Sequence, residues 1–302
     1  MKNIIIAVVV ILVVGIGAYF LIPGFSNNPT PTPDPVATST LPDGNQPVVP
    51  EPVVDKTRTV IGRSVEGREI TAYHYGEGAK ELLFVGGIHG GYEWNTVLVA
   101  YELMDYLAAR PEAVPANLKV SVIPVLNPDG LNKVVGTSTR FTRADVPSSE
   151  ATVIAGRFNG NQVDLNRNFD CDWQPSAKWQ NATVSGGTAV FSEPEAQAIR
   201  SYVEAARPAG VVVWYSAAGG VFASSCHNGV LPETLAMTNT YAQASGYPAY
   251  REFNFYEITG DMVNWLAKQN IPAISVLLTN HQDTEWSKNQ AGIEALLKQF
   301  AA

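Results

Sequence analysis

The constraint that narrows this chain most is Phe84-Val85-Gly86-Gly87-Ile88-His89-Gly90-Gly91-Tyr92-Glu93, where an apolar run ends in glycines and delivers a histidine and then a glutamate. Glu81 to Val85 suits a short buried strand, and Trp94 to Leu107 carries apolar residues at helical spacing. A glycine-rich turn between a buried strand and a helix belongs to open α/β sheets, whose ligands gather outside the carboxyl ends of the strands. His89 and Glu93 therefore stand where chemistry is found. Imidazole nitrogen and carboxylate oxygen are also two of the three ligand types zinc accepts. The plain alternative is a surface histidine with a glutamate that complements the helix dipole.

The rest of the chain extends the same pattern. Thr59 to Tyr75 alternates apolar and polar residues around Val65-Glu66-Gly67-Arg68 and predicts an edge hairpin, with His74 lacking an evident partner. Leu118 to Val125 predicts a strand that ends in Asn127-Pro128-Asp129-Gly130, a turn by composition, and Leu131 to Gly160 reads as irregular. A helix is predicted from Ser192 to Ala206, opened by a capping box of Ser192 and Glu195. Val211 to Trp214 and Ala273 to Leu278 read as buried strands, with helices at about 232–245, 260–269 and 287–300. Alternation of this kind implies an α/β domain with a mixed, mostly parallel sheet flanked by helices.

The amino-terminal residues do not belong to that domain. After Lys2, Ile4 to Ile22 is uncharged and would span about 28 Å as a helix, close to a bilayer core. No small-x-small cleavage site is evident near Pro23, so residues 1–22 are expected to be a cytoplasmic tip and an uncleaved transmembrane signal anchor rather than a removed leader. Residues 23–56, rich in Pro and Thr, are expected to form an extended stalk. The expected location is thus the cell membrane, single-pass through residues 4–22, with residues 57–302 outside the cytoplasm. A net charge of −8 without a Lys/Arg cluster argues against nucleic acid. On such a domain the two cysteines, Cys171 and Cys226, are candidates for one disulfide, the alternative being a pair of free thiols.

Several of these motifs, in this order, resemble the M14 family of zinc carboxypeptidases. Gly86-Gly87-Ile88-His89 with Glu93 is similar to the family's first metal motif. Asn127-Pro128-Asp129-Gly130, Asp164-Leu165-Asn166-Arg167-Asn168-Phe169 and Phe191-Ser192-Glu193-Pro194-Glu195 are similar to three further signatures. The resemblance implies an eight-stranded sheet with zinc at the carboxyl ends of central strands, and removal of a terminal residue from a peptide. It implies that Asn166 and Arg167 grip the substrate carboxylate, which suits a guanidinium fork. It further implies Arg143 as the oxyanion arginine and Tyr256 as a tyrosine that closes over the substrate. Val263 lies near the family's side-chain pocket and favours an apolar terminal residue, with Asp261 beside it able to reverse that preference.

The departures from the family are as informative. Tyr215 stands at the position of the third zinc ligand, and tyrosine, with a pKa near 10, is a poor ligand at neutral pH. Leu277 stands at the position of the general base and cannot activate water. Three residues separate His89 from Glu93 where two are usual, and the family's nearby arginine is missing. His227 and His281 could approach the site, with Glu285 as a substitute base, or could be ordinary loop residues. Three roles remain open: an extracytoplasmic exopeptidase or cell-wall peptide hydrolase with a rearranged zinc site, a non-catalytic module for the carboxyl termini of peptides or peptidoglycan stems, and a structural surface protein.

Overall fold

The computed structural model describes residues 56–302. The expected anchor, and the expected stalk apart from Lys56, lie outside the described residues. Among the described residues no helix is long and apolar enough to cross a membrane.

Eight strands form one mixed sheet in the order β1-β2-β4-β3-β7-β10-β8-β9. Its parallel centre is β4 (Leu118–Ile123), β3 (Lys80–Val85), β7 (Gly210–Ser216) and β10 (Ala273–Leu278). At one edge β1 (Arg58–Arg63) and β2 (Glu69–Tyr75) form the expected hairpin, antiparallel to β4. At the other, β8 (Gly220–Ala223) runs antiparallel to β10 and carries the two-residue β9 (Ala249–Tyr250).

The central strands read as unbroken apolar runs because helices cover both of their faces. Alternate residues divide between two cores, as a period of two requires. Phe84, Val212, Trp214 and Val276 join the core beneath α1 (Trp94–Ala109), α5 (Pro232–Ser245) and α7 (Trp286–Ala301). Leu83, Val213, Tyr215 and Leu277 join the core beneath α4 (Pro194–Ala206) and α6 (Met262–Lys268).

Four local expectations are corrected. Asn127 to Gly130 is not a free turn: Asn127 caps α2 (Pro128–Val135), its side chain accepting a bond from the Gly130 amide at 2.9 Å. The stretch expected to be irregular holds that helix and the short α3 (Glu150–Ala155). The capping box at Ser192 does not form; α4 begins with Pro194, and the Ser192 hydroxyl donates to Glu193 instead. His74 has partners, with Thr59 and Ser121 hydroxyls each 2.9 Å from its ring nitrogens. A small hairpin, β5 (Ser176–Trp179) with β6 (Ala182–Ser185), was not foreseen. Cys171 and Cys226, 55 residues apart in sequence, are disulfide-bonded.

Candidate active site

At the carboxyl end of β3 the chain must turn sharply between α1 and β4, and Gly87 makes the turn. Its φ is +63°, and a Cβ there would lie 2.7 Å from a Val97 methyl. One 3-10 turn, Gly90–Glu93, then brings Glu93 back beside His89. Both side chains are buried, with His89 Nδ1 3.0 Å from Glu93 Oε1. On the far side of the ring, Nε2 lies 3.3 Å from Asp164 Oδ1. Neither contact is aligned as a good hydrogen bond, and Glu93 Oε2 has no partner.

Asp164 opens the tight turn Leu165–Arg167 by accepting the Asn166 amide at 3.1 Å. Its other oxygen receives Arg157, from Nε at 2.9 Å and from a terminal nitrogen at 2.8 Å. Burial works against the charge on Asp164, yet Arg157 and His89 outweigh it and hold the carboxyl far below its ordinary range. Arg157 is itself only 2% exposed; it lies over the Trp179 ring at 4.4 Å, with Glu93 Oε1 3.9 Å from its remaining nitrogen.

The same turn places Asn166 and Arg167 in the lining of a cavity of about 500 Å³. The Asn166 amide is committed on three sides: its oxygen accepts from Tyr215 Oη at 3.2 Å and from the Met262 amide at 3.1 Å, and its nitrogen donates to Asp261 at 2.8 Å. One N–H remains for a ligand. Arg167 is 1% exposed and donates to the carbonyls of Lys178, at 3.1 and 2.9 Å, and Asn166, at 2.7 Å. It forms no ion pair among the described residues, so a buried guanidinium with two uncommitted N–H groups faces the cavity.

The opposite wall is built from the ends of β7 and β10. Leu277 pairs in register with Tyr215, so the two side chains lie next to each other and both line the cavity. Burial, reinforced by Asp261 and Glu93, pushes the Tyr215 phenol well above its ordinary pKa. It is a neutral hydroxyl that donates to Asn166.

Tyr256, Val263 and Asp261 also line the cavity. Burial raises Asp261, although the Asn264 amide and Arg167 oppose the rise. Arg143 does not reach this space. It is largely exposed, 3.5 Å from Asp283 and 3.4 Å from Gln282, and lines a separate hollow. The buried arginine beside Glu93 is Arg157, which sequence reasoning missed; its only signal was a cation seven residues before Asp164 in a stretch read as irregular. Glu285 is held by Tyr247, Lys288 and the Thr279 amide, away from the cavity lining. His281 does line it, its ring tilted against Tyr92 with the centroids 4.7 Å apart, and its Nδ1 is buried and unpartnered. His227 pairs instead with Asp172, at 2.8 Å.

The donor set can be tested against a catalytic zinc. His89 Nδ1 and Glu93 Oε2, unsatisfied and adjacent, are two donors of the right kind. The third wall is the neutral phenol of Tyr215, already committed to Asn166, and a catalytic zinc takes three protein ligands. The residues present fall one short. What they offer is a carboxylate-binding pocket beside a half-built cation cradle, with no base at Leu277.

Residues 54–295 match the zinc carboxypeptidase family, peptidase M14. Over 226 residues the chain is 26% identical to gamma-D-glutamyl-L-diamino acid endopeptidase 1 of Lysinibacillus sphaericus, a match covering 66% of this chain and 54% of that protein. It is 29% identical over 122 residues to carboxypeptidase Z of Homo sapiens, covering 36% of this chain and 17% of that protein. The chain thus spans about half or less of the length of these curated relatives. Among solved structures, murein-tripeptide amidase MpaA from Escherichia coli O157 superposes with a TM-score of 0.55 at 22% identity, covering 80% of this chain and 92% of that one. Bovine thrombin-activatable fibrinolysis inhibitor gives a TM-score of 0.62 at 15% identity, covering 81% and 88%. These likenesses show the fold.

Proposed function

Since the chain belongs to the zinc-dependent M14 carboxypeptidase family, we propose that its cavity binds the free carboxyl terminus of a peptide, and that the family's hydrolysis is absent or severely weakened in it. The observation that carries this reading is Arg167, a buried guanidinium without a carboxylate partner among the described residues, aimed into a cavity large enough for a terminal residue. A buried charge is stable only when paired and hydrogen-bonded, and a peptide carboxylate supplies the missing partner in bidentate form. The free N–H of Asn166 adds a donor, and Tyr256 closes the same space.

The chemistry is limited by the other wall. Leu277 offers no lone pair to take a proton from water, and general acid–base catalysis typically supplies about 10²- to 10⁴-fold. Tyr215 stays protonated and bonded to Asn166, so it steadies the carboxylate grip rather than a cation. We read the ligand as a cell-wall or other extracytoplasmic peptide, supported by the names of the endopeptidase and amidase relatives and by residues 4–22, which we read as a membrane anchor.

The test is calorimetric titration of the full chain with a peptide panel and the corresponding C-terminal amides, zinc supplied throughout, with mass spectrometry of the same mixtures. Amidation is expected to weaken binding by about 30-fold or more, the low end for leaving a buried charge unpaired. Equal affinity for acid and amide would overturn the carboxylate reading. Brisk release of the terminal residue would overturn the impaired-enzyme reading.

A second reading, an active peptidase with a rearranged site, has His281 in its favour. Its buried, unpartnered Nδ1 lies in the cavity wall, and burial lowers its pKa, so the ring is neutral and able to accept a proton. On that reading peptide release is present in the full chain and lost in His281→Ala.

A further inference from the structure

Outside the cavity lining, the disulfide corner gathers more ligand chemistry than a cross-link needs. Cys171 is followed by Asp172, and Cys226 by His227. Asp172 and His227 both have left-handed φ, +53° and +59°. The two polar side chains meet. Asp172 Oδ1 lies 2.8 Å from His227 Nε2, and Asp172 Oδ2 lies 3.8 Å from Cys171 Sγ. One ligand atom from each of the four residues lies within 4.8 Å of every other. The sulfurs are buried at the base, and the imidazole and carboxylate form an exposed cap.

We propose that this corner is a second cross-linking site, which binds a soft divalent metal ion, zinc by preference, through Cys171, Asp172, Cys226 and His227 when the disulfide is reduced. Two thiolates, an imidazole and a carboxylate are all zinc ligands, and four of them make a closed tetrahedral site. Zinc–sulfur bonds of about 2.3 Å in a tetrahedron place the sulfurs roughly 3.8 Å apart, so opening the bond to a non-bonded contact suffices. The step balances. A dithiol reductant gives two electrons and two protons to the Sγ–Sγ bond and leaves as its own disulfide. Binding of the metal ion then displaces the two thiol protons. While oxidised, the sulfurs cannot act as thiolates.

The location gives the exchange a purpose. Cys171 accepts the Gly260 amide through its carbonyl at 2.7 Å, Phe169 donates to the Gly260 carbonyl at 3.0 Å, and Ser225, beside Cys226, lines the cavity. Gly260 also packs so tightly on Arg167 that a Cβ would stand 2.3 Å from the Arg167 carbonyl. The corner thus ties the turn carrying Asn166 and Arg167 to the segment after β8, whose Ser225 also lines the cavity. A metal clasp holds that tie in a newly made chain before oxidation, and the disulfide holds it afterwards.

The test is cobalt(II) titration of the full chain, reduced with a phosphine and desalted without oxygen. One cobalt per reduced chain is expected to give a thiolate-to-metal charge-transfer band and tetrahedral d–d bands, both lost on adding zinc. The oxidised chain should show neither. His227→Ala should weaken uptake at least tenfold, and His89→Ala should leave the band unchanged. Zinc should also raise the melting temperature of the reduced chain and not that of the oxidised one. The proposal falls if the reduced chain shows no thiolate band, if the band follows His89, or if His227→Ala and Asp172→Ala bind as tightly as the parent. Because His227 is exposed, its variant keeps the test decisive even if Cys171→Ser does not fold.

Discussion

The wall built by the turn at Asp164 to Asn168 and the wall built by the ends of β7 and β10 face one cavity, but they meet it with different chemistry. The first is an electrostatic assembly: Arg157 and His89 converge on Asp164, and Arg167 stands beside it with its charge unanswered. The second is a register-matched pair, Tyr215 and Leu277, that is neutral and contributes to the core. A wall of buried charges keeps its geometry because each member is costly without the others. A strand end can exchange one residue for another of similar bulk with little effect on the fold. The groups for binding and the groups for bond-breaking can therefore be lost independently.

The strongest way to break the comparison is to convert the second wall. Tyr215→His with Leu277→Glu is expected to create carboxypeptidase activity, with the glutamate alone supplying about 10²- to 10⁴-fold over the single histidine variant. Rates on a broad peptide panel, with zinc content measured beside them, check this. A double variant that folds, holds zinc and cleaves nothing would show that these two positions are not the ones the chemistry needs.

Attacking the first wall should cost stability rather than create function. Asp164→Ala leaves Arg157 buried without its carboxylate, and breaking a buried pair in this way costs about 3–5 kcal/mol. Urea unfolding measures it. Leu277→Met, on the second wall, should cost less than about 1.5 kcal/mol as a near-isosteric change. Comparable losses at the two positions would remove the distinction between the walls. On the binding side, Arg167→Met should cost about 2–5 kcal/mol of peptide affinity, read by the same titration as the amide series. Arg167→Lys should recover only part, since an ammonium lacks the bidentate fork.

The two walls were also unequally legible in the sequence. The strand ends could be read directly: unbroken apolar runs such as Val211 to Trp214 and Ala273 to Leu278 announce central strands, and the residues that follow them fall at the active end of the sheet. Tyr215 and Leu277 were singled out by the resemblance to the M14 family, which puts a third zinc ligand and a general base at those positions of the strands. The turn wall was only half visible. Asn166 and Arg167 sit inside a contiguous motif, whereas Arg157 reaches Asp164 from the irregular segment after α3, and nothing local marks its side chain as buried. Arg143 drew attention through its resemblance to the family's oxyanion arginine, yet its short 3-10 turn leaves it in solvent. The left-handed backbone at Asp172 and His227 was equally hidden, because neither residue is glycine and only the tertiary fold requires the conformation.

His281 provides the finest probe of the boundary between the walls, because it stands where they meet. It faces Glu93, which favours its protonation, and Arg157 and His89, which oppose it; burial is the largest influence and lowers its pKa in the folded chain. The unfolded chain, with an ordinary value near 6.5, then binds the proton more readily. Stability from this group is complete above about pH 6.5 and falls as the pH drops towards the lowered folded value, with a slope of at most about 1.4 kcal/mol per pH unit for one proton. Denaturant midpoints from pH 5 to 8 should show this loss on the acid side, and His281→Gln should flatten the profile. A bound peptide carboxylate places a negative charge in the same cavity and should raise the His281 pKa towards its unfolded value, making the acid loss smaller. If peptide leaves the profile unchanged, His281 does not sense the carboxylate, and it belongs with the neutral wall of Tyr215 and Leu277.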